Sequence, residues 1–248
     1  MAKAGEILVQ TMRLLQRKLV PGVTTAQLDQ AAERFILSQG AKPVFKGYRG
    51  FPGSICASPN SLIVHGIPGK YELCAGDIIS IDIGVSYDGW VADAAQTFAV
   101  GKISPIAQKL LSVTRSSLFS AVEQCHPGNR IGDISHAVQR KVEESGFSVI
   151  RSLVGHGVER SMHEDPQVPN FGQAGKGPVL QEGMVIAIEP MVATGKHEVE
   201  VADDQWAIYT EDGSLAAHFE FTVAIGPDGP QVLTPWHLEP TSDGETKL

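Results

Sequence analysis

Apolar residues recur at helical spacing in four stretches of the chain. Leu8, Met12, Leu15 and Leu19 share one face of the first, and Leu28, Ala31 and Ile36 mark the second. Ile106, Leu110, Val113, Leu118 and Val122 mark the third, which Ser104 caps and Pro105 opens. Ile134, Ala137 and Val142 mark the fourth. Each pair of amphipathic stretches is followed by short runs rich in Val, Ile and Phe that read as strands.

The two pairs echo each other. "PGVTTAQLDQAAERFILSQG" from Pro21 aligns with "PGNRIGDISHAVQRKVEESG" from Pro127 at one constant offset, matching both Pro-Gly pairs and both closing glycines. Such self-similarity indicates a duplication. The expected architecture is α+β: two halves, near 1–122 and 123–248, form one catalytic domain. One antiparallel sheet with helices covering one side is expected, and a site at the join. The closing "EPTSDGETKL" is polar and expected to fray.

Two aspartates interrupt the apolar pattern. Asp82 lies in "IISIDIGV" and Asp93 in "VADAA". The turn signal Ser86-Tyr87-Asp88-Gly89 joins the two runs as a hairpin. A Tyr87-Asp88 loop sets Asp82 directly opposite Asp93. An Asp88-Gly89 loop pairs Asp93 with Gly84, diagonal to Asp82. Either register puts both carboxylates on one sheet face, where like charges require a proton or a cation between them. Three more polar residues break apolar stretches: His156 in "VGHGV", Glu189 in "VIAIEP" and Glu220 in "HFEFTV". Four unpaired buried carboxylates would exceed the ~5–15 kcal/mol stability of a domain. Two divalent cations offset them and make a bridging hydroxide available as a nucleophile; hard oxygen ligands suit Mn, Fe, Co, Zn or Mg.

Composition narrows the setting. The chain has 248 residues, 42% apolar and 19% charged, as globular domains do. A net charge of -8 without a Lys/Arg cluster argues against nucleic acid as partner. No apolar run approaches the ~18 residues of a membrane span. Cys56, Cys74 and Cys125 are widely spaced and form no C-x-x-C pair, which fits a reducing compartment. A cytoplasmic monomer is expected.

Taken together, "HGIP" at 65–68, Asp82 with Asp93, "GHG" around His156, "HEDP" from His163, "IEP" around Glu189, and Glu220 resemble the methionine aminopeptidases in order and spacing across nearly the whole chain. The resemblance implies the pita-bread fold and a dinuclear site holding two divalent cations (Co, Mn, Fe or Zn). Asp82, Asp93, His156, Glu189 and Glu220 would be its ligands, with Asp93 and Glu220 bridging. It implies that a metal-bound hydroxide attacks the peptide carbonyl and that Glu189 moves the proton. His65 and His163 would hold the substrate peptide and steady the tetrahedral intermediate. By position, Tyr48, Phe51, Cys56, Met162 and Trp206 resemble the lining of the methionine pocket, with Phe45 a further candidate. The implied partners are the N-termini of nascent polypeptides with a small second residue, met at the ribosome. The short span from Glu189 to Glu220 and the lack of an N-terminal zinc-binding extension resemble the bacterial-type, type I form. Two positions depart from the family pattern: Glu159, where glycine is common, so a different loop is expected there, and Ala94, where a hydroxyl residue is common, so a hydrogen bond that supports the metal ligands is expected to be lost. Prolidase-like enzymes share similar ligands but usually carry a further N-terminal domain. A non-enzymatic binding module would have lost ligands that are all present here.

Overall fold

A computed structural model of the chain describes residues 1–238; the terminal "EPTSDGETKL" lies outside the described residues. Helices α1 (Ala2–Gln16) and α2 (Thr25–Ser38) come first. Strands β1 (Lys42–Pro43), β2 (Cys56–Pro59), β3 (Leu62–Val64), β4 (Ile78–Tyr87) and β5 (Trp90–Ala99) follow. Helices α3 (Pro105–Val122) and α4 (Ile131–Glu143) then precede β6 (Ser148–Val149), β7 (Val154–Gly157), β8 (Glu164–Pro169), β9 (Val185–Ile188) and β10 (Met191–Ala193). The described strands end with β11 (Val199–Val201), β12 (Ile208–Thr210), β13 (Ala216–His218), β14 (Phe221–Gly226) and β15 (Gly229–Val232). The order helix, helix, strands occurs twice. The second block opens at α3, so the division between helix pairs falls before Pro105 and not near 122.

The helices form where the apolar stripes stand. Thr24 and Gln27 make a reciprocal capping box on α2, and Ser104 Oγ accepts the Ala107 N–H on α3. Ile7, Leu8, Met12 and Leu15 of α1 join Leu28 and Ile36 of α2 in the main core. Two stripe positions differ. Leu19 lies beyond the end of α1 yet is buried, and Ile106, in the first turn of α3, is exposed.

The duplication extends to backbone detail. Gly22 and Gly128 take φ of 92° and 93°, and Gly40 and Gly146 take 69° and 80°, left-handed values that suit glycine. Gly22 N–H donates to Leu73 O at 2.8 Å, and Gly128 N–H donates to Leu180 O at 3.0 Å. Matching isolated bridges join Thr24 to Glu72 and Arg130 to Val179. Each Pro-Gly turn is therefore pinned to the loop before a core strand.

Among the described residues the strands are antiparallel throughout, but they form four sheets and not the single sheet expected. β9 and β10 are one extended stretch broken at Glu189-Pro190, and β13 and β14 are another broken at Phe219-Glu220. Pro190 has no N–H to give a ladder. At the second break the Glu220 N–H turns away from its own sheet and donates to Ala95 O on β5 at 2.9 Å.

That bond belongs to the seam between the halves. Thr222 Oγ1 accepts the Asp93 N–H at 2.9 Å and donates to Asp93 O at 2.7 Å. Thr97 Oγ1 does the same for His218, accepting its N–H at 2.9 Å and donating to its carbonyl at 2.8 Å. The pairs Asp93–Thr222, Ala95–Glu220 and Thr97–His218 keep one antiparallel register, with threonine hydroxyls bridging the outer two. Each half contributes one bridging threonine.

Candidate functional site

The hairpin adopts the second of the two possible registers. Gly84 pairs with Asp93 and Asp82 with Ala95, with Asp88 and Gly89 in the loop at φ of 51° and 74°. Strand alternation then puts Asp82, Gly84, Asp93 and Ala95 on one face. Ala94 points the other way, into the main core. A hydroxyl there would face away from Asp93, so the expected loss of support for the metal at Ala94 does not arise. Thr222, from the other half, braces the Asp93 backbone instead.

His156 arrives on β7 between two glycines, and close backbone approach explains both. A Cβ at Gly155 would lie 2.3 Å from Ala187 O, and one at Gly157 would lie 2.2 Å from Asp165 O. The His156 Nδ1–H donates to Gly157 O at 2.9 Å. The lone pair therefore sits on Nε2, which stands 3.8 Å from Asp93 Oδ2 and 3.6 Å from Glu189 Oε1. A backbone carbonyl that fixes the tautomer in this way is the usual support of a metal-ligating imidazole. Glu189 and Glu220 occupy the two strand breaks described above. Ligand atoms of Asp93, His156 and Glu220 lie within 4.8 Å of one another.

Burial makes this cluster electrostatically unstable by itself. It pushes Asp82 up to about 7 and holds Asp93, Glu189 and Glu220 well above the usual carboxylate range. Neighbouring carboxylates push the last three further in the same direction. Asp82 Oδ1, Asp93 Oδ1 and Glu220 Oε1 are buried without a hydrogen-bond partner. Concentrated negative charge, orphaned oxygens and an imidazole lone pair aimed at them fit divalent cations, which satisfy all three at once.

The cluster floors a cavity of about 410 Å³. All the residues singled out in the sequence line it: Asp82, Asp93, His156, Glu189, Glu220, His65, His163, Tyr48, Phe45, Phe51, Cys56, Met162 and Trp206. Phe51 meets Trp206 edge-on at 5.1 Å, and His65 faces Trp206 at 6.3 Å. Cys56 and Met162 are buried beside them. His163 stacks edge-on against His156 at 4.4 Å, and its Nδ1 lies 2.8 Å from Tyr48 Oη. Burial, helped by His156, Arg49 and His65, lowers His163 to about 4. Burial also lowers His65 and His156. The loop departure at Glu159 is tied down by its backbone, its carbonyl accepting the Val91 N–H at 2.8 Å.

Two ionisable lining residues were missed in the sequence. Arg49 sits at the mouth, and His218 is 2% exposed at the end of β13. The same signal that singled out Glu220, a polar residue inside an apolar run, was present at His218 two positions earlier.

A profile of metallopeptidase family M24 matches residues 1–227. The chain is 54% identical over 234 residues to methionine aminopeptidase of Clostridium perfringens, covering 94% of both chains. It is 51% identical to methionine aminopeptidase 1 of Bacillus subtilis over 94% of each. The crystal structure of methionine aminopeptidase from Thermotoga maritima superposes with a TM-score of 0.93 at 44% identity, over 94% of each chain.

Proposed function

The chain belongs to metallopeptidase family M24 and, within it, to the methionine aminopeptidases, and on that premise we propose that it removes the initiator methionine from nascent proteins and peptides whose second residue is small. The carrying observation is the convergence of three buried carboxylates, the largely buried Glu189 and a tautomer-locked imidazole on the floor of a largely apolar cavity.

Asp82, Asp93, His156, Glu189 and Glu220 would hold two divalent cations drawn from Co, Mn, Fe or Zn. When bound, these supply Lewis acidity and lower the pKa of water towards neutrality. The protein's own groups do the rest. The methionine side chain enters among Phe51, Cys56, Met162 and Trp206, with Phe45 and Tyr48 beside them, where soft apolar contacts suit a thioether. Tyr48 Oη lies 2.8 Å from His163 Nδ1; with the phenol as donor there, the His163 proton stands on Nε2 as a donor to the substrate carbonyl. Because its pKa is near 4, His163 is a neutral donor at physiological pH. His65 contacts the peptide from the Trp206 side. Glu189 takes a proton from the attacking water and delivers it to the leaving amide nitrogen. Preorganised donors on the developing oxyanion then lower the barrier.

Among the described residues no helix is long and apolar enough to cross a membrane. Cys56, Cys74 and Cys125 are unpaired, in keeping with work in the cytoplasm. The proposed setting is a monomer acting on nascent N-termini at the ribosome.

The test uses Met-Ala-Ser and proline-containing control peptides, with Mn or Co added, with and without chelator, and products read by mass. Chelator-sensitive release of methionine alone is the expected result. Cleavage confined to bonds before proline would overturn it.

A further inference from the structure

His218 has no role in the mechanism above, yet the seam between the halves puts it in a privileged position. In the register Asp93–Thr222, Ala95–Glu220 and Thr97–His218, the residue that corresponds to Asp93 across the internal two-fold is His218. Each has its backbone N–H and carbonyl bridged by a threonine hydroxyl from the opposite half. The duplication therefore aims His218 at the same centre as Asp93, and with the same backbone restraint.

The His218 side chain is buried, and neither ring nitrogen has a hydrogen-bond partner. Nε2 stands 3.7 Å from Glu189 Oε2 and 3.9 Å from Glu220 Oε2. Two readings compete: a sixth ligand to a cation, or a donor to the carboxylates that hold it. His156 decides between them. Its Nδ1–H is locked by Gly157 O, the support a ligating imidazole needs. His218 Nδ1 has no such lock. A neutral imidazole carries one N–H, and the acceptors that face Nε2 are the two carboxylates. The gap exceeds a hydrogen bond by under about 1 Å. The soft terminal torsion of either glutamate can close it.

We propose that His218 is a positioning residue: its Nε2–H holds the outer oxygens of Glu189 and Glu220, fixing how these two carboxylates meet the cations. This deepens the metal-site reading above and rests on it. Outer partners of ligating carboxylates typically set 10–100-fold in metal affinity.

The experiment is a Co(II) titration of the chelator-treated full chain by calorimetry, for the wild type, His218→Leu and His218→Gln. Proton NMR of the Co-loaded forms accompanies it. His218→Leu should weaken the looser binding step by roughly 10–100-fold and lower kcat with little change in KM. His218→Gln, which keeps an N–H donor, should restore both to within about threefold. The loaded wild type should show one hyperfine-shifted imidazole N–H, from His156. Two such signals, one lost in His218→Gln, would make His218 a ligand and overturn the proposal, and this count does not need the leucine variant to fold. Equal damage in the glutamine and leucine variants would also overturn it, as would a leucine variant with normal uptake and turnover. A wild type that takes up no Co would sink the metal-site reading itself, an outcome distinct from all of these.

Discussion

The two halves supply their carboxylates in different ways. In the first half, Asp82 and Asp93 sit inside an uninterrupted hairpin, ten residues in each strand, whose register follows from the Asp88-Gly89 turn. In the second half, Glu189 and Glu220 sit at breaks between strands, where the chain leaves one ladder for another. One pair is positioned by local turn chemistry. The other is positioned by pairing with distant strands, including the Glu220–Ala95 bond that crosses the seam. A duplicated fold can thus build one site from a rigid local platform and from breaks held only by tertiary contacts.

The largest effects should come from the carboxylates themselves. Asp93→Asn and Glu220→Gln should each lower kcat/KM by more than about 10²-fold, because outer-shell changes alone reach that size. If the comparison holds, Asp93→Asn is no less stable than the wild type in chelator, since the hairpin does not depend on its charge and burial disfavours that charge. An Asp93→Asn protein that unfolds in chelator would put the platform itself in doubt.

Glycine substitutions test the same contrast through packing. Gly155→Ala drives a Cβ against the Ala187 carbonyl of β9, which is backbone and cannot give way. It should destabilise beyond the ~1–3 kcal/mol usual for overpacking, read by urea unfolding. Gly84→Ala instead meets the end of the Phe45 ring at 2.9 Å. It should cost about 1 kcal/mol and appear mainly as a raised KM for methionyl peptides. Equal destabilisation by the two would contradict the distinction between backbone and side-chain crowding.

The seam predicts a smaller loss. Thr222→Val leaves the Asp93 N–H and carbonyl without their hydroxyl partner. A cost of about 1–3 kcal/mol is expected, with metal affinity falling alongside. A variant as stable as the wild type would show that the seam is held elsewhere.

The smallest effect is one of pH. Without metal, burial holds Asp82 near 7 and the other three carboxylates above their ordinary range. The folded chain then keeps protons that the unfolded chain loses near pH 4. This contribution to stability is fully present below that pH and is lost as pH rises through 7. The Tm in chelator should therefore fall between pH 5 and 8, once the rest of the chain is accounted for with an Asp82→Asn, Glu220→Gln control. With Mn added the trend should reverse, because cations bind the deprotonated ligands. Parallel curves with and without Mn would argue against a carboxylate metal site.

Much was determined by the sequence alone. Helical periodicity marked four helices, and the repeated Pro-Gly and closing glycines marked the duplication, because these depend on local backbone preference. Asp82, Asp93, His156, Glu189 and Glu220 were legible as polar interruptions of apolar runs, because an unpaired buried charge is too costly to occur by accident. Other features were decided by the tertiary structure. The turn signal allowed two registers, and the folded hairpin adopts the one that puts Asp93 opposite Gly84. One continuous sheet was a natural reading of the strand pattern, but the described strands pair in four sheets, and Pro190 and the turn of Glu220 towards Ala95 mark where two of them part. Ala94 read as a missing support until strand alternation put it in the core, while Thr222 took that part from the other half. His218 carried the same signal as its neighbours, yet what it faces depends on Thr97, far away in sequence. Local patterns report what each segment prefers; which carboxylates share a centre is decided only when distant strands pair.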